Sequence, residues 1–252
     1  HWAAGLIVSN LALLGALFFL ERIAATGLDP DGAQRAVVYL LGFPASFFLS
    51  AYYSEGLFLL LSTAAFFFYL RERYVASGIA GALACLTRHV GLAVFVACLI
   101  GLVWGLRTGR RRFRPAVLGL LLMPLGTLAF MLILYIRMGE PLAFLDAHRA
   151  WGRSVLESGP ARFADVRNLD WSLPRDMMNT ITLMDATSAT VFLILPLFLF
   201  GRFDVALPIY SLLLIVIPLS TGSVKSMMRC ECVAFPAFFA LARFGHNRKE
   251  GF

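Results

Sequence analysis

The sequence is poor in charge and almost without lysine. Charged residues make up 15% of the 252 positions and hydrophobic residues 60%, whereas soluble domains carry about 25% charged residues. Of the 22 basic residues, only Lys225 and Lys249 are lysines. A water-soluble core of this length could not bury so much apolar surface. The composition therefore excludes an ordinary soluble domain and predicts a membrane protein.

Motifs that mark several enzyme and pump classes are also missing. The chain has no Walker loop, no GxSxG elbow, no HExxH pair and no dinucleotide-binding glycine turn, so ATP-driven pumps, esterases, zinc proteases and nicotinamide enzymes are excluded. The four cysteines lie in or beside apolar runs, where cysteine behaves as a small hydrophobic residue. Cys230-Glu231-Cys232 has no second ligand pair at zinc spacing. We predict no metal site at these cysteines, and no cofactor is identified from the sequence.

Apolar runs of nearly bilayer length recur along the whole chain. A helix needs roughly 20 apolar residues to cross a membrane. The runs predict an all-α, polytopic integral membrane protein, a single domain over residues 1–252 with about nine transmembrane helices. The predicted spans are 3–20, 36–52, 55–70, 74–88, 89–106, 115–136, 188–201, 205–220 and 230–242.

The arginines lie between the apolar runs and predict the orientation of the chain. They form no basic aromatic surface, so nucleic acid is not an expected partner. The segment 107–114 carries five arginines and is assigned to the cytoplasm by the positive-inside rule. Alternation from this segment places residue 1 outside and the C-terminus in the cytoplasm. The arginine and alanine content favours a bacterial plasma membrane over the endoplasmic reticulum.

One long polar loop, 138–187, falls outside the cytoplasm in this topology. Its segments 142–155 and 177–183 are amphipathic and are predicted to form helices that lie at the membrane interface. At the other end of the sequence, His1 runs straight into an apolar span with no initiator methionine and no charged n-region. We expect the chain to be truncated at its N-terminus.

The first candidate site follows Pro44, at an outer turn between two apolar runs. Pro44 is expected to kink its helix, and Tyr53, Ser54 and Glu55 then cluster at the outer surface. Glu55 could cap the following helix, because a carboxylate satisfies free N–H groups at a helix N-terminus. It could instead bind an acceptor sugar. The sequence leaves both alternatives open.

The other candidates are basic residues at outer turns. Arg88 stands between apolar neighbours, and its guanidinium either binds a lipid phosphate or extends to bulk headgroups. His89 beside it is a weaker candidate, more typical of a structural histidine. Lys225 and Arg229 are four positions apart, so on a helix they would share a face and could hold a phosphate together. Ordinary anchoring at the interface is the alternative for this pair.

Several segments resemble one membrane enzyme family. FPASFFLSAYYSEGLF, residues 43–58, resembles the FP-x-(S/A)-FF-x-x-x-x-YSE-x-LF signature of PIG-V-type mannosyltransferases, which belong to the GT-C glycosyltransferases and include enzymes of GPI-anchor biosynthesis. Thr87-Arg88 with Gly91 resembles the LTR-x-x-G step of that family. The outer-loop segment 139–151 and Arg229 with 235–236 resemble its later motifs. The similarity covers most of the chain in the expected order. Three positions depart from the pattern: Gly56, His89 and Cys230.

The resemblance implies a GT-C-like bundle and an inverting transfer of mannose, or another hexose, outside the cytoplasm. The implied donor is a polyprenyl or dolichyl phosphate sugar, and the implied acceptor is a lipid-linked or other glycan. In such enzymes an acid of the first outer loop acts as the base, and that loop would precede His1. Arg88 and Arg229 would hold the donor phosphate. Tyr53, Ser54 and Glu55 would line the site.

Two other classes of function remain open on the sequence. A transporter or flippase of lipid-linked glycans is the main alternative, although such proteins place ionisable groups near the bilayer midplane, and here the polar clusters gather at the outer face. A structural membrane subunit is the third hypothesis.

Overall fold

The computed structural model describes residues 2–150 and 177–245, and every regular element in this part of the chain is helical, as predicted. The helices are α1 (Trp2–Ala24), α2 (Pro30–Leu41), α3 (Phe47–Ser50), α4 (Glu55–Leu70), α5 (Tyr74–Thr87), α6 (Leu92–Arg107), α7 (Leu122–Met138), α8 (Ala143–Ala150), α9 (Met177–Ile194), α10 (Ala206–Leu219), α11 (Met227–Glu231) and α12 (Pro236–Phe244). Short 3₁₀ turns lead into α6 and α7 and extend α9.

Four helical segments in the described residues are long and apolar enough to cross a membrane. They are Trp2–Ala24, His89–Arg107, Pro115–Met138 and Thr180–Leu199. Three shorter apolar helices, α4, α5 and α10, coincide with predicted spans. The membrane prediction therefore has direct support from helix length, whereas the count of nine spans does not.

The two remaining predicted spans are each broken into short helices. In 36–52, α2 ends at Leu41 and α3 begins only at Phe47, so the predicted kink at Pro44 is a complete interruption. A proline ring disfavours helical backbone geometry at the residue before it. The Ser46 hydroxyl donates a hydrogen bond to the Leu41 carbonyl at 2.7 Å across the break. In 230–242, Pro236 starts a separate helix, because proline fits the first helical turn but not the interior.

The predicted outer loop 138–187 is shorter than expected at its C-terminal end. After α7, Gly139 adopts a left-handed φ of 75° that ends the helix. The helix α8 lies inside the predicted amphipathic segment 142–155. The segment 177–183 was predicted as a separate interfacial helix, and this is wrong because it opens the long helix α9. Residues 151–176 lie outside the described part.

Glycines allow the helices to approach closely. A Cβ atom on Gly78 of α5 would lie 1.9 Å from the carbonyl oxygen of Gly119, and one on Gly126 of α7 would lie 2.1 Å from that of Ala82. Both distances are shorter than any permitted contact. The absence of side chains at these positions is what lets the two segments pack backbone against backbone, as is typical of membrane helices.

Ion pairs group the loops at two ends of the bundle. At one end Arg111 Nη2 donates to Asp204 Oδ2 at 2.7 Å, and Arg114 lies 3.3 Å from Glu72. These residues belong to three loops that the arginine pattern assigns to a common side. At the other end Glu55 contacts Arg88, in the turn between α5 and α6, and Arg229, in the short helix α11. The loops that lie together at each end are those that the predicted alternation places on one side. Which end faces the cytoplasm stays a prediction.

Candidate functional site

One buried carboxylate gathers two arginines from distant parts of the chain. Glu55 Oε1 accepts hydrogen bonds from Arg88 Nη1 and from Arg229 Nε, across 33 and 174 positions of sequence. The Glu55 side chain is fully buried, whereas those of Arg88 and Arg229 are 19% and 33% exposed. We call these three residues the Glu55 cluster. The three sequence-predicted candidates thus form one site.

The backbone that carries Glu55 is held by α1. The Ser9 hydroxyl donates to the Tyr53 carbonyl at 3.2 Å, and the Asn10 side-chain amide donates to the Ser50 carbonyl at 3.0 Å. A Cβ on Gly56 would lie 2.3 Å from the Leu49 carbonyl oxygen. Polar side chains and a glycine therefore fix the start of α4 against its neighbours, and Glu55 is the first residue of that helix.

Arg88 reaches the cluster from the turn between α5 and α6. Its backbone is extended, with φ −150° and ψ 136°, and its carbonyl accepts from the Gly91 N–H at 2.9 Å. A Cβ on Gly91 would lie 2.7 Å from the backbone of Cys85. The turn therefore closes tightly on the end of α5, and this geometry directs the Arg88 side chain to Glu55.

Arg229 is placed by α11 and by two aromatic rings. Its guanidinium carbon lies 5.1 Å from the centre of the Phe48 ring and 4.7 Å from that of Tyr53, within the range of cation–π attraction. The N-terminus of α11 is itself fixed by Asp185, whose carboxylate accepts from the Ser226 N–H at 2.8 Å and the Met228 N–H at 3.1 Å.

The cluster carries two positive charges and one negative charge. Among the described residues, Glu55 is the hydrogen-bond partner of both guanidinium groups, and it uses one nitrogen of each. The terminal nitrogens of Arg229 remain as donors. A guanidinium with a free edge is the protein group best matched to a phosphate or carboxylate. The arrangement can therefore bind an anion at the surface of the bundle.

An apolar groove of about 490 Å³ lies between α9, the segment around Pro44 and Met228 of α11. Its walls include Phe43, Pro44, Leu183, Ser188, Val191 and Met228. Met228 precedes Arg229 in α11, so the groove and the arginine share an element. Leu183 and Val191 are exposed on the surface of a membrane-length helix. The groove is suited to a hydrocarbon chain that enters from the lipid.

A second buried polar group was not found from the sequence. Glu231 is fully buried, its Oε1 lies 3.1 Å from the Ser188 hydroxyl, and its Oε2 has no hydrogen-bond partner among the described residues. Asp185 lies one turn before Ser188 and is also buried. The signal was present, because Asp185 and Glu231 are ionisable residues inside apolar segments, and such residues in membrane helices are functional candidates by default.

The remaining predicted site residues lie around the cluster or away from it. Tyr53 contacts Arg229 through its ring, and Ser54 precedes α4 without a side-chain capping bond. Glu55 makes no capping bond either, because its carboxylate is turned to the arginines. His89 is exposed and stacks on Phe144 of α8, with 5.8 Å between ring centres.

Lys225 and Arg229 do not share one face of a helix, so the condition for their joint binding of a phosphate is not met. The helix begins only at Met227, and Ser226 has a left-handed φ of 57°. Lys225 therefore lies in the preceding turn, where its side chain is exposed and its backbone N–H donates to the Ser223 hydroxyl at 3.2 Å. The four-residue spacing does not place the two cations on one helix.

Comparisons with protein-family models, with curated proteins and with solved structures find no match to this chain.

Proposed function

We propose that the chain is part of a membrane glycosyltransferase that takes mannose, or another hexose, from a polyprenyl or dolichyl phosphate carrier. The acceptor in this proposal is a lipid-linked or other glycan on the extracytoplasmic side. The observation that carries the proposal is the meeting of Arg88 and Arg229 on Glu55, together with an apolar groove whose wall includes Met228, the neighbour of Arg229. The choice of mannose rests on the resemblance of residues 43–58 to the PIG-V signature.

The cluster fits the chemistry of a phosphate leaving group. In the transfer an acceptor hydroxyl oxygen attacks the anomeric carbon, the bond from that carbon to the phosphate oxygen breaks, and its electron pair stays on the phosphate. The hydroxyl proton passes to a base. Negative charge therefore grows on the phosphate, and positioned arginines stabilise that charge more strongly in the transition state than in the ground state.

The groove fits the other half of the donor. A polyprenyl chain is apolar and reaches its enzyme from the bilayer, so its site must combine an apolar path at the lipid surface with a cationic end. Val191 and Leu183 on the exposed face of α9 provide the first feature, and Arg229, next to Met228 of the groove, provides the second. A soluble nucleotide sugar has no hydrocarbon chain that could bind in such a groove.

The test is turnover of a prenyl phosphate mannose by the protein expressed from its complete reading frame in lipid vesicles. Arg88→Ala and Arg229→Ala are each expected to lower kcat/KM for the donor by about 100-fold, the typical loss when one charge-stabilising donor is removed. Arg114→Ala is the matched control, because Arg114 lies in an exposed ion pair at the other end of the bundle. Wild-type rates in both cluster variants would rule out the phosphate role.

A flippase for lipid-linked glycans is the second candidate, and one observation favours it. Asp185 and Glu231 are buried between helices, and buried ionisable groups are typical of membrane transport pathways. Vesicles that contain the purified protein and a labelled lipid-linked mannose separate the two functions. Movement of label between leaflets without sugar transfer would support the flippase, whereas transfer to an added acceptor without faster movement supports the enzyme.

A further inference from the structure

We propose that Glu55 is a positioning residue: its Oε1 holds Arg88 and Arg229 so that the terminal nitrogens of Arg229 form a fork for two non-bridging oxygens of a lipid phosphate. This inference rests on the proposed function, since it names the group that organises the phosphate site. Glu55 does not touch the ligand in this arrangement. It sets the direction of the guanidinium planes.

The atoms used by Glu55 determine which edge of each arginine remains. Arg229 donates to Glu55 through Nε, on the inner side of its guanidinium, so both terminal nitrogens stay together as a pair. Arg88 donates through one terminal nitrogen, Nη1, so the edge formed by its Nε and Nη2 stays intact. Each arginine therefore keeps one edge that can donate two parallel hydrogen bonds to a phosphate, and the greater exposure of Arg229 selects it for this role.

The three side chains of the Glu55 cluster differ in exposure. Glu55 is fully buried, Arg88 is 19% exposed and Arg229 is 33% exposed. The carboxylate thus forms the base of the site, and Arg229 is the member that a ligand reaches most readily. A ligand from the groove would arrive on the side of Met228, the neighbour of Arg229.

Both ends of the Glu55–Arg229 contact are held rigidly. The start of α4 cannot move toward α3, because Gly56 has no room for even a Cβ atom. The guanidinium of Arg229 lies near the rings of Phe48 and Tyr53. An arginine held in this way loses little side-chain entropy when it binds a ligand, which raises affinity by preorganisation.

This rigidity makes the length of the Glu55 side chain decisive. Glu55→Asp keeps the negative charge but withdraws the carboxylate by about 1.5 Å, the length of one carbon–carbon bond. Glu55→Gln keeps the length and an acceptor oxygen but removes the charge. A positioning role predicts that the aspartate variant is the worse of the two. A role as a counter-charge predicts the reverse order.

The experiment measures binding of farnesyl phosphate to the 252-residue chain in detergent micelles, with farnesol as the uncharged probe. Glu55→Asp is expected to weaken farnesyl phosphate binding about tenfold, the effect of losing one charged hydrogen bond, and to leave farnesol binding unchanged. Glu55→Gln is expected to stay within about threefold of wild type. The matched control is Glu72→Asp, because Glu72 also pairs with an arginine, Arg114, at the other end of the bundle.

Each other result contradicts a defined part of the proposal. Unchanged binding in Glu55→Asp, or a larger loss in Glu55→Gln, would overturn the positioning role while Arg229→Lys could still show that the arginine binds phosphate. An equal loss of farnesol binding in Glu55→Asp would show a general structural effect and would also overturn it. If Arg88→Ala and Arg229→Lys both bind farnesyl phosphate as wild type does, the phosphate site and the proposed function fail together.

A competition arm separates the two sources of a phosphate group. Excess inorganic phosphate is expected not to displace farnesyl phosphate, because the free ion gains nothing from the apolar groove. Displacement by inorganic phosphate at concentrations similar to the lipid would assign the site to the free ion and overturn the lipid assignment.

Discussion

Arg111 Nη2 donates to Asp204 Oδ2 at 2.7 Å, and its guanidinium carbon lies 4.1 Å from the centre of the Tyr69 ring. The Arg111 side chain is only 8% exposed. The same arginine also donates to the Tyr74 hydroxyl at 3.3 Å. A single residue from the arginine-rich loop therefore links α4, α5 and the turn before α10, which fixes one end of the bundle.

Arg111→Met is expected to destabilise the protein by about 3 kcal/mol, since removing one partner of a buried pair leaves the other charge uncompensated. Arg111→Met with Asp204→Asn together should cost less than the sum of the single changes, because the two residues interact directly. Chemical unfolding in detergent measures both free energies. Arg114→Met is the control: its side chain is 63% exposed, and a loss of about 0.5 kcal/mol or less is expected.

The contact between α5 and the turn before α7 gives a second prediction. Gly78→Ala would place a Cβ atom 1.9 Å from the Gly119 carbonyl oxygen, and a backbone atom cannot move aside cheaply. We expect a loss of about 2 to 3 kcal/mol, as for other overpacked positions, measured by the same unfolding assay. Gly5→Ala is the control, because its clash is with the exposed side chain of Tyr52, which can turn away.

The sequence predicts the broad fold and part of the site. Hydropathy is sufficient for an all-helical membrane protein, and the loop alternation places Glu55, Arg88 and Arg229 at one end before any contact is known. Their contact through one carboxylate oxygen depends on side-chain reach, which no pattern specifies. The breaks at Pro44 and Pro236 replace two expected spans, because a hydropathy window averages across a proline that ends a helix.

The Asp185–Glu231 region shows why other features could not be predicted. The two residues come together only because α9 packs against α11, and sequence spacing carries no information on which faces of two distant helices meet. The same limit applies to Lys225. Its spacing from Arg229 is correct for a helix, but the left-handed residue Ser226 delays the helix start to Met227.

Asp185→Asn is expected to weaken the proposed phosphate site, although Asp185 is not expected to contact the ligand. The carboxylate accepts two backbone hydrogen bonds at the start of α11, whereas an asparagine has one acceptor oxygen. We expect a loss of about 1 kcal/mol in stability and weaker farnesyl phosphate binding, because α11 carries Arg229. Hydrogen exchange of the Ser226 and Met228 amides should become faster. Unchanged exchange would show that Asp185 does not hold this segment. Asp31→Asn, at an exposed position in α2, is the control.

The proposal that a prenyl chain binds in the groove is tested by a substitution that fills the groove. Val191→Trp places a large ring on the wall of the groove, and we expect it to weaken the binding of a long prenyl phosphate about tenfold, the effect of losing most of one apolar contact surface. Ile194→Trp is the matched control, because Ile194 is exposed on the same helix but does not line the groove. Equal affinities in the two variants would show that the chain binds elsewhere.

Glu231→Gln tests whether the second buried carboxyl is used as an acid or only as a hydrogen-bonding group. Glu231 has no ion pair among the described residues, and one of its oxygens has no partner, so the charged form is costly at this position. Glutamine has the same shape and no charge. If Glu231 has only a structural role, Glu231→Gln should unfold at the same denaturant concentration as wild type or a higher one, and the turnover of the complete protein should be unchanged.

Ser188→Ala provides the comparison, because it removes the hydroxyl next to Glu231 Oε1 without altering the carboxyl group. A fully stable Glu231→Gln protein that has lost turnover or lipid movement would instead show that function needs a carboxyl group that can release or take up a proton. Movement without transfer in the wild type would then favour the flippase.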